Sequence, residues 1–329
     1  METDPPKQYT PKQYIVCYLD VLGIRDNLLA DINYHCSEIE PEQQTKINHF
    51  SRLYRCVLST LDSAKQLLIN PSYNLFKLCC PVSIQEKMSN EDINEALRKL
   101  QSVNYSIQSF SDSLLIYAPY DESNRYEFLN SFSFLFCFYS HVFLAMTALG
   151  VLFRGALTIG TAWEIHNNFL FGPAVHEAYE LESKVAKHPR IVVSPALINL
   201  INKIKQETKH QDALINDVLF DTLIDVDFDG VPLLNYLSAR IISLLTSIFG
   251  FDYLFDLLNK AFVAIKDNYK VYRDCYNTTE LQALARKTEL ARRYYAMLLF
   301  FKRNEKPIND YLASIGAKPV CFDFDLLCN

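Results

Sequence analysis

The sequence predicts an α+β protein, with a ferredoxin-like β-α-β-β-α-β core followed by a helical C-terminal extension. Three observations predict it. Short apolar runs at 14–20, 105–118, 151–160 and 190–194 have strand character. Long segments with apolar residues three and four apart separate the first three of them. From Ser238 to Phe301 the pattern is helical almost throughout.

Residues 14–20 read as a buried strand. Pro41 to Asn70 reads as an amphipathic helix with Ile47, Phe50, Leu53, Tyr54, Val57 and Leu61 on one face, stopped by Pro71. Residues 71–104 read as irregular, with a short helix near Glu91 to Leu100. A hairpin over 105–118 follows, then a second long helix from Asp121 to Leu149 and a strand over 151–160. Pro173 to Ala186 reads as a helix with proline near its first turn, where a missing N–H costs nothing. A strand over 190–194 and a helix from Ala196 to Glu207 come next. Leu219 to Leu237 reads as strand and turn. Its Asp227-Phe228-Asp229-Gly230 lacks the glycine and glutamate spacing of a calcium loop and reads as an ordinary turn. The expected division is an extended or disordered 1–12, a core domain over 13–235 and a helical region over 236–329.

The 329 residues are ample for a large core in one domain or two. The net charge of -6 argues against a nucleic-acid surface, which needs a basic stripe, but leaves room for a single nucleotide held by a few local cations. Nine cysteines form no Cys-x-x-Cys pair, and Cys17, Cys56 and Cys137 sit in apolar runs, as reduced buried thiols of a cytoplasmic protein do. The acidic, proline-containing start does not read as a signal peptide. Phe128 to Phe153 contains no Asp, Glu, Lys or Arg and is long enough for a membrane span. Gly150 divides it, and six polar residues interrupt it, so it reads as a buried element.

Two turns carry candidate chemistry. Leu19-Asp20-Val21-Leu22-Gly23 ends the run Tyr14-Ile15-Val16-Cys17-Tyr18, and Ser111-Asp112-Ser113 lies inside the hairpin. A carboxylate at a strand end is exposed yet rigidly held, as a hard-cation ligand must be. If the two strands are neighbours, Asp20 and Asp112 converge, and two carboxylates around Mg²⁺ or Mn²⁺ suit chemistry on a nucleoside triphosphate. Either aspartate alone is also a routine turn residue.

A third segment runs Arg154-Gly155-Ala156-Leu157-Thr158-Ile159-Gly160, then Gly172-Pro173-Ala174-Val175-His176-Glu177-Ala178-Tyr179-Glu180-Leu181-Glu182-Ser183, and closes with Pro189-Arg190-Ile191-Val192-Val193-Ser194. With the two aspartate turns, this ordered set over roughly residues 13–195 resembles the class III adenylate/guanylate cyclase family. Its wording is most similar to the pyrimidine cyclases of the bacterial Pycsar antiphage system. The resemblance implies a cyclase core and conversion of UTP or CTP to a 3′,5′-cyclic monophosphate, with two Mg²⁺ or Mn²⁺ ions per site. It implies a homodimer with shared sites and a downstream effector that receives the product without direct contact. No nucleic-acid or membrane partner is expected.

Carried over residue by residue, the resemblance makes Asp20 and Asp112 the metal ligands, with the carbonyl of Val21 completing a shell. Gln108 and Phe169 stand at the places where purine cyclases read the base, which points to a pyrimidine; an amide both donates and accepts, though Gln108 reads equally as an ordinary strand residue. Tyr18 shares a face with Asp20 in a strand and reads either as a stacking partner for base or ribose or as a core aromatic. His176 replaces the ribose-orienting Asn, and Glu180 replaces the transition-state Arg. Arg190, at a strand start, is the first choice to neutralise phosphate and Arg154 the second; Lys184 and Lys187 read as a solvated helix end. Two other readings stand beside the enzyme: an inactive cyclase-fold nucleotide sensor or scaffold, favoured by Glu180, and a membrane-associated partner protein using Phe128–Phe153.

Overall fold

The computed structural model describes residues 9–22, 89, 91, 105–110, 113–121, 125–165, 169–207, 223–273 and 281–324. The helix expected over 41–70 lies outside these residues, as does that near 91–100 apart from Glu91. The described elements are β1 (Lys12–Val21), β2 (Ser106–Phe110), β3 (Ser113–Tyr120), α1 (Arg125–Ala148), β4 (Phe153–Ile165), β5 (Phe169–Phe171) and α2 (Pro173–Lys184). There follow β6 (Ile191–Val193), α3 (Pro195–Glu207), β7 (Ile224–Val226), β8 (Pro232–Leu234), α4 (Ala239–Phe249), α5 (Phe251–Arg273) and α6 (Leu281–Ser314).

The strands form one eight-stranded mixed sheet in the order β2-β3-β1-β4-β6-β8-β7, with β5 paired to β4. β2, β3 and β1 run antiparallel in turn, β4 and β6 are parallel, and β6, β8 and β7 are again antiparallel. The α+β class expected from the sequence is therefore the one observed, and β1 lies beside the hairpin. The short β5 has no counterpart in the sequence reading, because three residues are too few to show a period.

The chain divides into two compact units. The first takes β1 up to Asp20, the hairpin, α1 up to Leu135 and Arg154–Leu234. On one side of its sheet, Tyr14, Val16, Leu115, Tyr117, Ala162 and Leu170 pack with Ala174 and Ala178 of α2. Each fully buried aliphatic here contributes about 1.5–3 kcal/mol. The period of two along β1 puts Tyr14, Val16, Tyr18 and Asp20 on this same face. Helix α2 comes close because its inward residues are small and because β4 offers Gly160, where a Cβ would sit 3.3 Å from the Cβ of Ala174. A second small cluster joins Ala156, Val192 and Ala186 under Leu181, Val185 and Val231. Thr158 Oγ1 donates to Ser194 Oγ at 2.9 Å, and that oxygen accepts the N–H of Leu197 at 3.1 Å, capping α3.

The second unit takes Phe136–Phe153 and the chain from Asn235 onward. Phe262, Phe301 and Phe322 meet in its core at centroid distances of 4.8–5.9 Å. The imidazole of His141 stacks on Phe249 at 4.1 Å and lies 3.0 Å from the hydroxyl of Tyr253. Burial pushes its pKa down to about 4. The charge-free stretch forms the end of α1 and the start of β4, with Gly150 at φ 76° where the helix stops. Its Ser140 and Thr147 hydroxyls donate back to the carbonyls of Phe136 and Phe143. Among the described residues, no helix is long and apolar enough to cross a membrane.

The tightest constraint is at Gly155, where β4 passes β1. A Cβ there would lie 2.6 Å from the carbonyl oxygen of Tyr18 and 2.6 Å from Leu19 Cδ2. A backbone oxygen in a sheet cannot step aside, so Gly155→Ala should destabilise the protein by about 1–3 kcal/mol. Urea unfolding monitored by circular dichroism reads this; an unchanged midpoint would contradict the close approach.

Candidate functional site

Asp20 ends the row of β1 side chains that faces α2, with its side chain 19% exposed. Across the sheet it is paired with Ser113, whose hydroxyl donates to Asp20 Oδ1 at 2.9 Å. From the other neighbouring strand, Arg154 Nη2 approaches Asp20 Oδ2 at 3.4 Å. The Nε edge of the same guanidinium is ion-paired with Glu182 Oε1, a carboxylate only 2% exposed. Glu182 gets there by helix geometry: Ala174, Ala178 and Glu182 are the buried residues of α2, each four apart, so they form one inward stripe.

The two carboxylates that meet the Arg154 guanidinium are hard oxygen donors. That chemistry fits Mg²⁺ or Mn²⁺ better than a soft metal. Asp112, the residue before Ser113 in sequence, lies outside the described residues, as do Ser111 and Gly23. Among the described residues, no group of three or more His, Cys, Asp or Glu is placed to hold an ion. Val21, the last residue of β1, is buried.

Other residues singled out in the sequence are dispersed around this cluster. Tyr18 sits edge-on to Tyr179 of α2 at 5.8 Å. Burial raises its pKa; a hydrogen bond with Ser113 opposes this, and the negative charge of Asp20 reinforces it. Gln108 shares a cross-strand row with Leu115 and Tyr18. Its Oε1 accepts the N–H of Leu170 at 2.9 Å, which sets the amide's orientation. Its Nε2 is buried and has no hydrogen-bond partner among the described residues. Phe169 is 47% exposed on β5, opposite Ile165, and near it Trp163 stacks on Phe171 at 5.5 Å. His176 lies exposed in the first turn of α2, with its backbone N–H on the carbonyl of Gly172. Glu180 pairs with Lys184 on the solvent side of the same helix, and Lys184 holds that carboxyl below its usual range. Lys184 and Lys187 are exposed, as a solvated helix end should be.

Arg190 has partners other than the phosphate assigned to it from its strand-start position. Its side chain is 5% exposed. Nη1 donates to Asp227 Oδ2 at 2.7 Å and Asp229 Oδ1 at 2.9 Å, and Nη2 to Asp229 Oδ2 at 2.7 Å and the carbonyl of Val185 at 2.9 Å. Burial works against the charge of this guanidinium, but the two aspartates outweigh it and raise its pKa. Arg190 thus clamps the turn between β7 and β8, and the turn reading of 227–230 holds, with Gly230 at φ 78°.

No protein-family model matches the chain, and no curated protein matches it in sequence.

Two members of the Asp20 cluster were not singled out as site residues in the sequence. Ser113 is visible there only as the neighbour of Asp112. Glu182 carried a signal: it is a glutamate placed four residues beyond Ala178 and eight beyond Ala174, on the stripe that otherwise reads as core.

The Arg190 clamp predicts a pH effect. Arg190 holds the Asp229 carboxyl below its usual range. The clamp's contribution is therefore complete above the ordinary Asp pKa of about 4. It is lost as pH falls through the lowered folded value. Arg190→Met should cost about 2–3 kcal/mol at pH 7, with the exposure of Asp229 reducing the value for a fully buried pair. It should also flatten the acid side of the stability profile. Urea titrations between pH 3 and 7 measure both; equal stability of the two proteins at pH 7 would contradict the clamp.

Proposed function

We propose that the chain is a class III-type nucleotidyl cyclase that converts UTP or CTP to the 3′,5′-cyclic monophosphate and pyrophosphate. In this reading it is a cytoplasmic enzyme of antiviral signalling, acting as a homodimer whose product goes to a separate effector. The ferredoxin-like cyclase core is part of the same reading. The observation that carries it is the meeting of Asp20 with Ser113 of the hairpin and Arg154 of β4, in the strand arrangement that the aspartate pair requires.

Asp20 and Asp112, with the carbonyl of Val21, are the groups to hold Mg²⁺ or Mn²⁺. The bound ions supply positive charge at the α-phosphate and the triphosphate. Arg154, which meets Asp20 from β4, serves the phosphate oxygens with donors in a fixed fork. Tyr18, Gln108, Phe169 and His176 are the candidates to contact base and ribose. In the reaction, the ribose 3′-oxygen forms a bond to the α-phosphorus and the bond to the bridging β-phosphate oxygen breaks. Pyrophosphate leaves, carrying the hydroxyl proton. The attacking group belongs to the same molecule, so holding it in line supplies much of the rate.

The second reading is a cyclase-fold nucleotide sensor without turnover. Glu180 at the transition-state position favours it, as does the commitment of Arg190 to Asp227 and Asp229.

Purified chain incubated with Mn²⁺ and each of the four triphosphates distinguishes the two. We expect cyclic product from UTP or CTP in excess over ATP and GTP. Asp20→Ala and Asp112→Ala should each abolish it while the circular dichroism spectrum is kept. Binding of nucleotide with no cyclic product from any triphosphate would favour the sensor, and full activity in either folded variant would sink the metal assignment.

A further inference from the structure

We propose that Glu182 is a positioning residue: it holds Arg154 as a resident counter-ion of Asp20, coupling cation entry at Asp20 to release of the Arg154 guanidinium toward an anionic ligand. This rests on the reading that Asp20 takes a divalent cation.

Three features of the cluster support it. Arg154 uses two different edges, Nε toward Glu182 and Nη2 toward Asp20. The two ends are unequal. Glu182 is fixed in the inward stripe of α2 and 2% exposed, so taking the Arg154 charge away from so buried a carboxylate would be costly. Asp20 is 19% exposed, has a second partner in Ser113, and is met by Arg154 at 3.4 Å, longer than a tight charge-assisted hydrogen bond. Arg154 itself is 24% exposed, so its outer edge has room to turn. The guanidinium is therefore anchored at its buried edge and yields at its outer one.

The charges then act in a defined order. With no cation at Asp20, Arg154 neutralises it. With a divalent cation held at Asp20, the Nη edge of Arg154 would turn away, while Glu182 would keep the Nε edge where it is. The Nη donors then face outward for phosphate oxygens. Glu182 thus touches neither cation nor nucleotide and acts through Arg154.

This arrangement predicts effects of opposite sign on a single equilibrium. Removing the Arg154 charge removes a competitor of the cation; removing the Glu182 charge leaves Arg154 wholly to Asp20. The experiment measures Mn²⁺ alone, binding to the full chain without nucleotide, by the electron paramagnetic resonance signal of free Mn²⁺. Arg154→Met should bind Mn²⁺ about fivefold more tightly than wild type, and Glu182→Gln about fivefold more weakly, allowing for solvent screening at the partly exposed Asp20 and Arg154. Arg154→Lys and Glu182→Asp, which keep the charges, should stay within about twofold. UTP binding measured by calorimetry should weaken in Arg154→Met although its Mn²⁺ binding tightens, a split that an ion pair serving the fold alone would not produce. Where circular dichroism shows Arg154→Met unfolded, Arg154→Gln takes its place. Where Glu182→Gln is unfolded, Arg154→Met decides by itself. Unchanged or weaker Mn²⁺ binding in the arginine variant, or tighter binding in Glu182→Gln, overturns the proposal while leaving the cyclase reading intact. Absence of Mn²⁺ binding in the wild-type chain overturns both.

Discussion

The close passage of β4 along β1 at Gly155 is the constraint on which the site depends. With no side chain at 155, the strands lie near enough for a Cβ there to fall 2.6 Å from the Tyr18 carbonyl. The next residue back, Arg154, is thereby brought level with the end of β1 and reaches Asp20. On its other edge β1 is registered on β3 so that Asp20 faces Ser113. One aspartate is thus held between a hydroxyl and a guanidinium by pairing on both sides of a single strand. Such a side chain is poorly placed to move and well placed to bind.

Electrostatics orders the cluster from inside to outside. The buried carboxylate of Glu182 needs a partner, and Arg154 supplies it, because an unpaired charge at that depth would cost several kcal/mol. The same guanidinium then extends to the more exposed Asp20. A second arginine, Arg190, satisfies the same rule elsewhere: it is buried, and two aspartates and a backbone carbonyl enclose it. The two arginines differ in what is left over. Arg190 places both Nη groups on partners inside the protein, whereas Arg154 keeps a partly exposed edge. That difference makes Arg154 a better candidate than Arg190 for the phosphate contact of the proposed function.

Much of the fold was legible in the sequence. Strands with a period of two, such as β1, and helices with an apolar stripe, such as α2 with its proline at the first turn, have local causes that a single chain reveals. Asp20 was legible for the same reason, since it stands where a strand pattern stops. What stayed hidden has non-local causes. The partners of Arg190 lie 37 and 39 residues away in a turn, and nothing in the spacing announces the pairing. β5 is too short for a pattern and exists because β4 extends far enough to pair with it. Gln108 read as an amide free to donate and accept, but the N–H of Leu170 has already taken its oxygen. Glu182 was legible in principle as the charged residue on an apolar stripe, yet its meaning required seeing Arg154 opposite it.

Diffraction from crystals grown with Mn²⁺ and a non-cyclising UTP analogue, recorded for anomalous scattering, tests the central claim most directly. The account predicts an anomalous peak at roughly 2–2.5 Å from oxygens of Asp20 and Asp112. It also predicts Arg154 still on Glu182 at its Nε edge, with its Nη edge turned from Asp20 to the phosphates. A nucleotide bound with no metal at Asp20, and Arg154 still bridging Asp20 and Glu182, would contradict it.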